Sequence, residues 1–302
     1  MTRNTVLADH IADVSTRADY PEAAAILTNH IRDLADDPRC VQAALLYGSG
    51  LWKEATEETV WDLHVLVSDY QSFRRNPFLA FCGTIIPPNV FFTTLEHEGR
   101  VMRCKFNVMR MNQFEKGCAG RSFTPQVWAR FAQPCRIVFS KDKLATGRVL
   151  NALESAVHIF IERALPFCDD MSARSAWVRG LAQTYADELR SESSDRAADI
   201  FDTQEHELTT RFDFWQRGQS AVKRHAKLRR ILRYSIRPLR KAVVFVRWIK
   251  AALTFENGVD YALWKIKRHS GVSVEATEFQ RKYPLIAAWP LVWKLYRKGA
   301  FR

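Results

Sequence analysis

The run Gly48-Ser49-Gly50 follows at once on an apolar stretch, Val41–Tyr47, and Asp62 lies about a dozen residues further on, inside a second apolar stretch, Val60–Val67. Glycine lets backbone N–H groups approach phosphate oxygens closely, and a helix N-terminus after it adds free N–H donors. A carboxylate on the next strand can hold the Mg²⁺ that bridges such phosphates. These residue types in this order point to phosphate and divalent-cation chemistry. The same residues would also make an ordinary strand–turn–strand with an uninvolved aspartate. His64 shares a strand face with Asp62, because strand side chains alternate. It could ligate the metal, contact a substrate or pack.

A second group lies on a later strand. Arg103, Lys105 and Asn107 share one face, and Met102, Cys104, Phe106 and Val108 share the other. The second set reads as core. The first presents two cations, which suits phosphate oxygens as well as it suits a solvated basic face.

The elements that must position these residues follow from periodicity and breakers. Residues 21–38 carry apolar positions at helical spacing. Val41–Tyr47 and Val60–Val67 read as strands. Val90–His97 and Arg100–Met109 read as a hairpin turning at Glu98-Gly99, fed by a loop over Gly83–Asn89. Phe123–Phe131 reads as a helix and Arg136–Ser140 as one more short strand. Residues 144–165, 173–192 and 204–232 read as helices, with a polar loop over 191–203. The expectation is an α/β chain, with a mixed-sheet domain over 1–145 and a mainly helical, basic region over 146–302.

Composition agrees with a packed core. Of 302 residues, 47% are hydrophobic and 26% charged, which excludes a disordered chain, a collagen and a coiled coil. Six cysteines without a CxxC pair read as reduced thiols in a cytosol-like compartment. The first residues lack the apolar core of a signal peptide, and no long uncharged apolar run is present to span a bilayer.

The net charge of +12 is unevenly spread. Residues 214–302 carry 21 Lys and Arg against 4 Asp and Glu, net +17, while the rest is net −5. Phe214–Phe255 has no acidic residue and interleaves its cations with aliphatic side chains and Trp248. Arg229, Arg230, Arg233, Arg240, Lys241 and Trp248 are the expected contacts with an anionic membrane surface. A basic helix packed on the first domain is the alternative. The segment is too apolar for a phosphate-binding arm and has no RNA-module motif, which argues against nucleic acid.

Gly-Ser before an Asp-bearing strand is the layout of the nucleotidyltransferase fold. The wider sequence resembles the mitochondrial-type phosphatidate cytidylyltransferases, the translocator assembly and maintenance family, and their bacterial relatives. The resemblance is carried by Tyr47-Gly48-Ser49-Gly50 with Asp62, by Asn89–Leu95, by Gly99–Val108 with Lys105, by Trp128–Ile137, and by Phe255–Gly258 with Tyr261–Arg268. The chain departs from the family at Glu54, where Gln is usual, and at Phe106-Asn107, where Tyr-Gly is usual. His64 stands where the superfamily has a second carboxylate.

The resemblance implies a Mg²⁺-dependent enzyme that joins CTP and phosphatidate into CDP-diacylglycerol for phospholipid synthesis. Gly48, Ser49, Gly50 and Lys105 would bind the nucleotide, Asp62 and Lys105 would be catalytic, and Asp62, with His64 as a further ligand, would hold the metal. Such a protein would sit peripherally on the inner face of a membrane, bacterial rather than mitochondrial. Two alternatives stay open: a basic membrane- or RNA-binding protein on a degenerate fold, and a nucleotidyltransferase acting on RNA or a small molecule.

Overall fold

The computed structural model describes residues 5–52, 54–56, 59–187, 194–218 and 274–282, with short stretches at 239, 242–244, 246–247, 250, 259 and 263–264. The chain is α/β. Its five strands, β1 (Val41–Tyr47), β2 (Val60–Val67), β3 (Asn89–His97), β4 (Arg100–Arg110) and β5 (Arg136–Ser140), form one sheet in the order β3-β4-β2-β1-β5. All neighbours are antiparallel except β2 and β4, which run parallel. A parallel pair needs a long crossover. Here it consists of α3 (Tyr70–Phe73), α4 (Pro77–Ile85) and β3. The β3–β4 hairpin turns at Glu98 and Gly99, with φ of 51° and 72°. Two successive positive φ values are what a two-residue turn matched to strand twist requires.

Helices α1 (Thr5–Thr16) and α2 (Glu22–Asp33) precede the sheet. Then α5 (Met111–Cys118) and α6 (Gln126–Phe131) follow β4, and α7 (Lys143–Ala164), α8 (Ala173–Asp187), α9 (Ser194–Thr203) and α10 (Glu205–Arg217) follow β5. One sheet face packs Trp61, Leu63, Phe91 and Phe106 against Leu27 and Ile31 of α2 and Phe73 and Leu79 of the crossover. The other packs Leu45, Leu66 and Met109 against α1 and α5–α10, where Phe114, Phe131, Phe160, Trp177 and Trp215 supply the bulk. Packing is continuous across residue 145, since Val149, Leu153 and Val157 of α7 belong to the same core as Leu45.

The structure differs from the sequence expectation in three places. The expected loop over Gly83–Asn89 begins only at Ile86, because Asn76 caps α4 by accepting from Leu79 N (3.1 Å) and Pro77 preorganises its first turn. The expected loop over 191–203 contains α9. Its Ala197 and Phe201 are buried at i, i+4, and this apolar face outweighs the polar composition. Helices α1, α3 and α5 have no counterpart in the sequence reading. Beyond Arg217, the helix expected to run to 232 lies outside the described residues.

Parts of the basic region are packed rather than free. Arg247 donates to Thr124 Oγ1 (2.6 Å) and to the Pro87 carbonyl, and Lys250 Nζ donates to the carbonyls of Ile86 and Pro88, the latter at 2.8 Å. Arg103 lies over the Trp264 ring. Among the described residues, no helix is long and apolar enough to cross a membrane.

A buried ion pair ties α10 to α1 and α6. Arg211, 1% exposed, donates from Nε to Glu207 Oε1 (2.7 Å) and from Nη1 to the Ala132 carbonyl (2.8 Å), while His10 Nε2 lies 3.0 Å from the same Glu207 oxygen. Burial alone would raise the Glu207 carboxyl, but His10 and Arg211 outweigh it and hold it at about 2, against an ordinary 4.5. A lowered carboxyl pKa contributes stability above the unfolded value and loses it as pH falls toward the folded one. Glu207→Gln should therefore cost about 3 kcal/mol near neutrality. In urea unfolding the gap to wild type should close as pH drops from 4.5 toward 2. A gap that stays constant over that range would contradict the pairing.

Candidate active site

The parallel register of β2 and β4 aligns Asp62 with Lys105, His64 with Asn107, and Leu66 with Met109. All six side chains belong to the sheet face covered by α1 and α5–α10, because each strand presents alternate residues to that side. The pairs form three ranks along the strands. The first is polar and partly buried, the second polar and buried, and the third belongs to the apolar core.

A cleft of about 570 Å³ opens at the first rank, lined by Asp62, Lys105, Gly48 and Ser49 from the sheet side. Gly48 has φ +80°, and a methyl group there would stand 3.4 Å from Asp62 Oδ2. The left-handed backbone explains glycine at this position, and the 3.4 Å spacing places the loop in van der Waals contact with the carboxylate. Gly50 plays another part. A Cβ there would meet the Trp61 ring at 2.9 Å, so Gly50 allows the loop to lie flat on β2 and does not line the cleft. Sequence reading thus brought Gly48, Ser49, Asp62 and Lys105 to one site.

Several lining residues were not singled out from the sequence. Tyr47 ends β1, and its hydroxyl reaches across β2 to accept from Asn107 Nδ2 (2.7 Å). Arg130 of α6 donates to the same oxygen (3.4 Å) and lies over the Tyr47 ring, bringing another cation to the cleft. Burial pushes the Tyr47 phenol up, with Arg130 a lesser opposing influence, so it is neutral at ordinary pH. The opposite wall comes from α8 and α9, with Thr184, Tyr185, Arg196, Asp199 and Thr203. The i, i+3, i+7 spacing of Arg196, Asp199 and Thr203 was the available signal, hidden by reading the segment as a loop.

His64 lies one rank below the cleft and does not line it. Its ring is enclosed by Tyr47, Phe114 and Phe131, with centroids at 6.3, 5.8 and 5.0 Å. Neither ring nitrogen has a hydrogen-bond partner among the described residues. Burial, with help from Arg130, draws its pKa down to about 3. The expected role as a further metal ligand gives way to a neutral packing residue in an aromatic cage. Among the described residues no group of three or more His, Cys, Asp or Glu could hold a metal. Asp62 lines the sheet side of the cleft, with Asp199 and Asp202 on the opposite wall, and a single carboxylate in such a cleft suits Mg²⁺, which keeps most of its waters and takes its remaining ligands from substrate phosphates. Arg229, Arg230, Arg233, Arg240, Lys241 and Trp248 lie outside the described residues.

The aromatic cage makes a pH-dependent prediction. A histidine whose pKa falls from 6.5 to about 3 on folding takes up its proton only in the unfolded chain between those values. Stability is lost as pH drops below 6.5, by about 2 kcal/mol on reaching about pH 5. His64→Leu, similar in volume, should remove this increment from the pH dependence of urea unfolding. An unchanged slope would mean that His64 is not buried as a neutral ring. No protein-family model and no curated protein matches the chain.

Proposed function

We propose that this chain is a Mg²⁺-dependent nucleotidyltransferase that joins CTP to phosphatidate, giving CDP-diacylglycerol and pyrophosphate, at an anionic membrane surface. The supporting observation is the side-by-side placement of Asp62 and Lys105 on parallel strands at the floor of a cleft whose edge is Gly48-Ser49. A phosphatidate oxygen attacks the α-phosphorus of CTP, one P–O bond forms, the bond to the β-phosphate bridge breaks, and pyrophosphate leaves. The attacking phosphate is already ionised, so the protein needs little base catalysis and supplies alignment and charge compensation. Lys105 and Arg130 neutralise phosphate oxygens, the Gly48-Ser49 backbone lies against the phosphate chain, and Tyr47 positions Arg130. Asp62 would hold Mg²⁺, which offsets the charge on the leaving pyrophosphate.

A second reading, a lipid-binding protein on a fold that has lost its chemistry, is favoured by one observation: His64, in place of a second carboxylate, does not reach the cleft. One assay separates the two. The protein is incubated with phosphatidate vesicles, Mg²⁺ and each labelled nucleoside triphosphate in turn. Label should pass into lipid from CTP, and Asp62→Asn or Lys105→Ala should slow the transfer at least ~100-fold. No lipid product with any nucleotide would overturn the enzymatic reading, and full activity in Asp62→Asn would overturn the site.

A further inference from the structure

We infer that α4 is a membrane-insertion element, which dips its outer face into the head-group layer of an anionic bilayer. Phe78, Phe81 and Ile85 are 55, 63 and 60% exposed, and their i, i+3, i+7 spacing makes one continuous stripe on one side of the helix. The helix Pro77–Ile85 contains no charged residue. Isolated exposed apolar residues need no explanation, but three large ones aligned on one helix face form a patch that soluble surfaces rarely carry without a partner.

The orientation of the helix is fixed from within. Leu79, Ala80 and Gly83 face inward, and a Cβ at Gly83 would stand only 2.6 Å from the Tyr70 ring, so the helix lies hard against the body. Side-chain amides hold its backbone: the buried Asn89 Nδ2 donates to the Leu79 carbonyl (2.9 Å), and the half-buried Gln113 Nε2 to those of Gly83 (3.2 Å) and Thr84 (3.0 Å). With that face anchored, the aromatic stripe points outward.

Charge selects the occupant. Arg74 and Arg75 lie just before Asn76, the cap of α4. At its other end, Arg247 and Lys250, which lie in the acid-free basic stretch, donate to the carbonyls of residues 86–88. Leu239 and Val246 of that segment are themselves 58 and 46% exposed. An apolar stripe with Arg74 and Arg75 before it and the attachment points of an acid-free, net basic segment after it matches a surface with an apolar interior and anionic head groups. A second copy of this chain fits less well, since self-pairing along α4 would bring like-charged arginines at positions 74 and 75 of the two copies toward one another with no acidic residue of the helix to offset them. The inference rests on residues outside the cleft, and its readout is binding, so it can fail or stand independently of nucleotidyl transfer.

The full chain is tested by flotation with phosphatidylcholine vesicles that contain or lack phosphatidylglycerol. Wild type should bind the anionic vesicles. Phe78→Ser with Phe81→Ser should weaken that partitioning by roughly 100-fold, about tenfold for each ring withdrawn from the acyl boundary. Phe78→Leu with Phe81→Leu should retain most of it. Leu144→Ser, at a residue 74% exposed on α7, should leave it unchanged. Unchanged urea midpoints would tie the loss to the surface. Vesicle binding by the double serine variant equal to wild type would overturn the inference, as would absence of binding by wild type. So would a wild-type dimer that the same substitutions dissociate without altering vesicle binding.

Discussion

The candidate site depends on one pairing. β2 and β4 run parallel in a sheet whose other contacts are all antiparallel, and their register sets Asp62 beside Lys105. A slip of one residue would bring Phe106 to the cleft and send Lys105 into the apolar layer under α2. That register is held on both faces at once. Leu63, Phe106 and Val108 are buried on one side, Leu66 and Met109 on the other. The core on either side of the sheet therefore acts as the positioning device for two charged groups that contribute nothing to it.

Along those strands polarity falls in steps. Asp62 and Lys105 meet solvent, His64 and Asn107 are enclosed, and Leu66 and Met109 are wholly apolar. The middle step is where the sheet passes from chemistry to packing. Asn107 satisfies its amide with the Tyr47 hydroxyl, and that hydroxyl in turn holds Arg130. His64 answers the same burial in another way, by giving up its proton to lie among three rings. One environment thus explains both a positioned cation at the cleft and a histidine that does not serve as one.

Much of this was legible in the sequence where local signals were strong. β1, β2 and β5 begin and end as the apolar runs imply, and Glu98-Gly99 marks the hairpin turn. Gly48, Ser49, Asp62 and Lys105 could be chosen because glycine, a strand carboxylate and strand alternation are local properties. The parallel register of β2 with β4 is a long-range fact, and no local pattern states it. Helix α9 was hidden because most of its positions are polar and its packed face is marked by Ala197, Ile200 and Phe201 alone among the described side chains. The fate of His64 was equally non-local, since its cage comes from Phe114 and Phe131, on helices that follow later strands.

The basic region shows why composition alone misleads about partners. A run of cations without acids suggests an arm free to meet any anionic surface. Two of those cations do something else: Arg247 and Lys250 satisfy backbone carbonyls between α4 and β3, and Lys250 is only 7% exposed. Burial draws the Lys250 amine down to about 7, with Cys82 pulling the other way. A cation spent on internal carbonyls cannot also contribute to surface attraction, so the net charge of the segment overstates its long-range field. What these two residues provide instead is location. They tie the acid-free segment, at residues 247 and 250, to the carbonyls that directly follow α4, so that the charge attraction and the apolar burial inferred for that helix draw on adjoining parts of the chain.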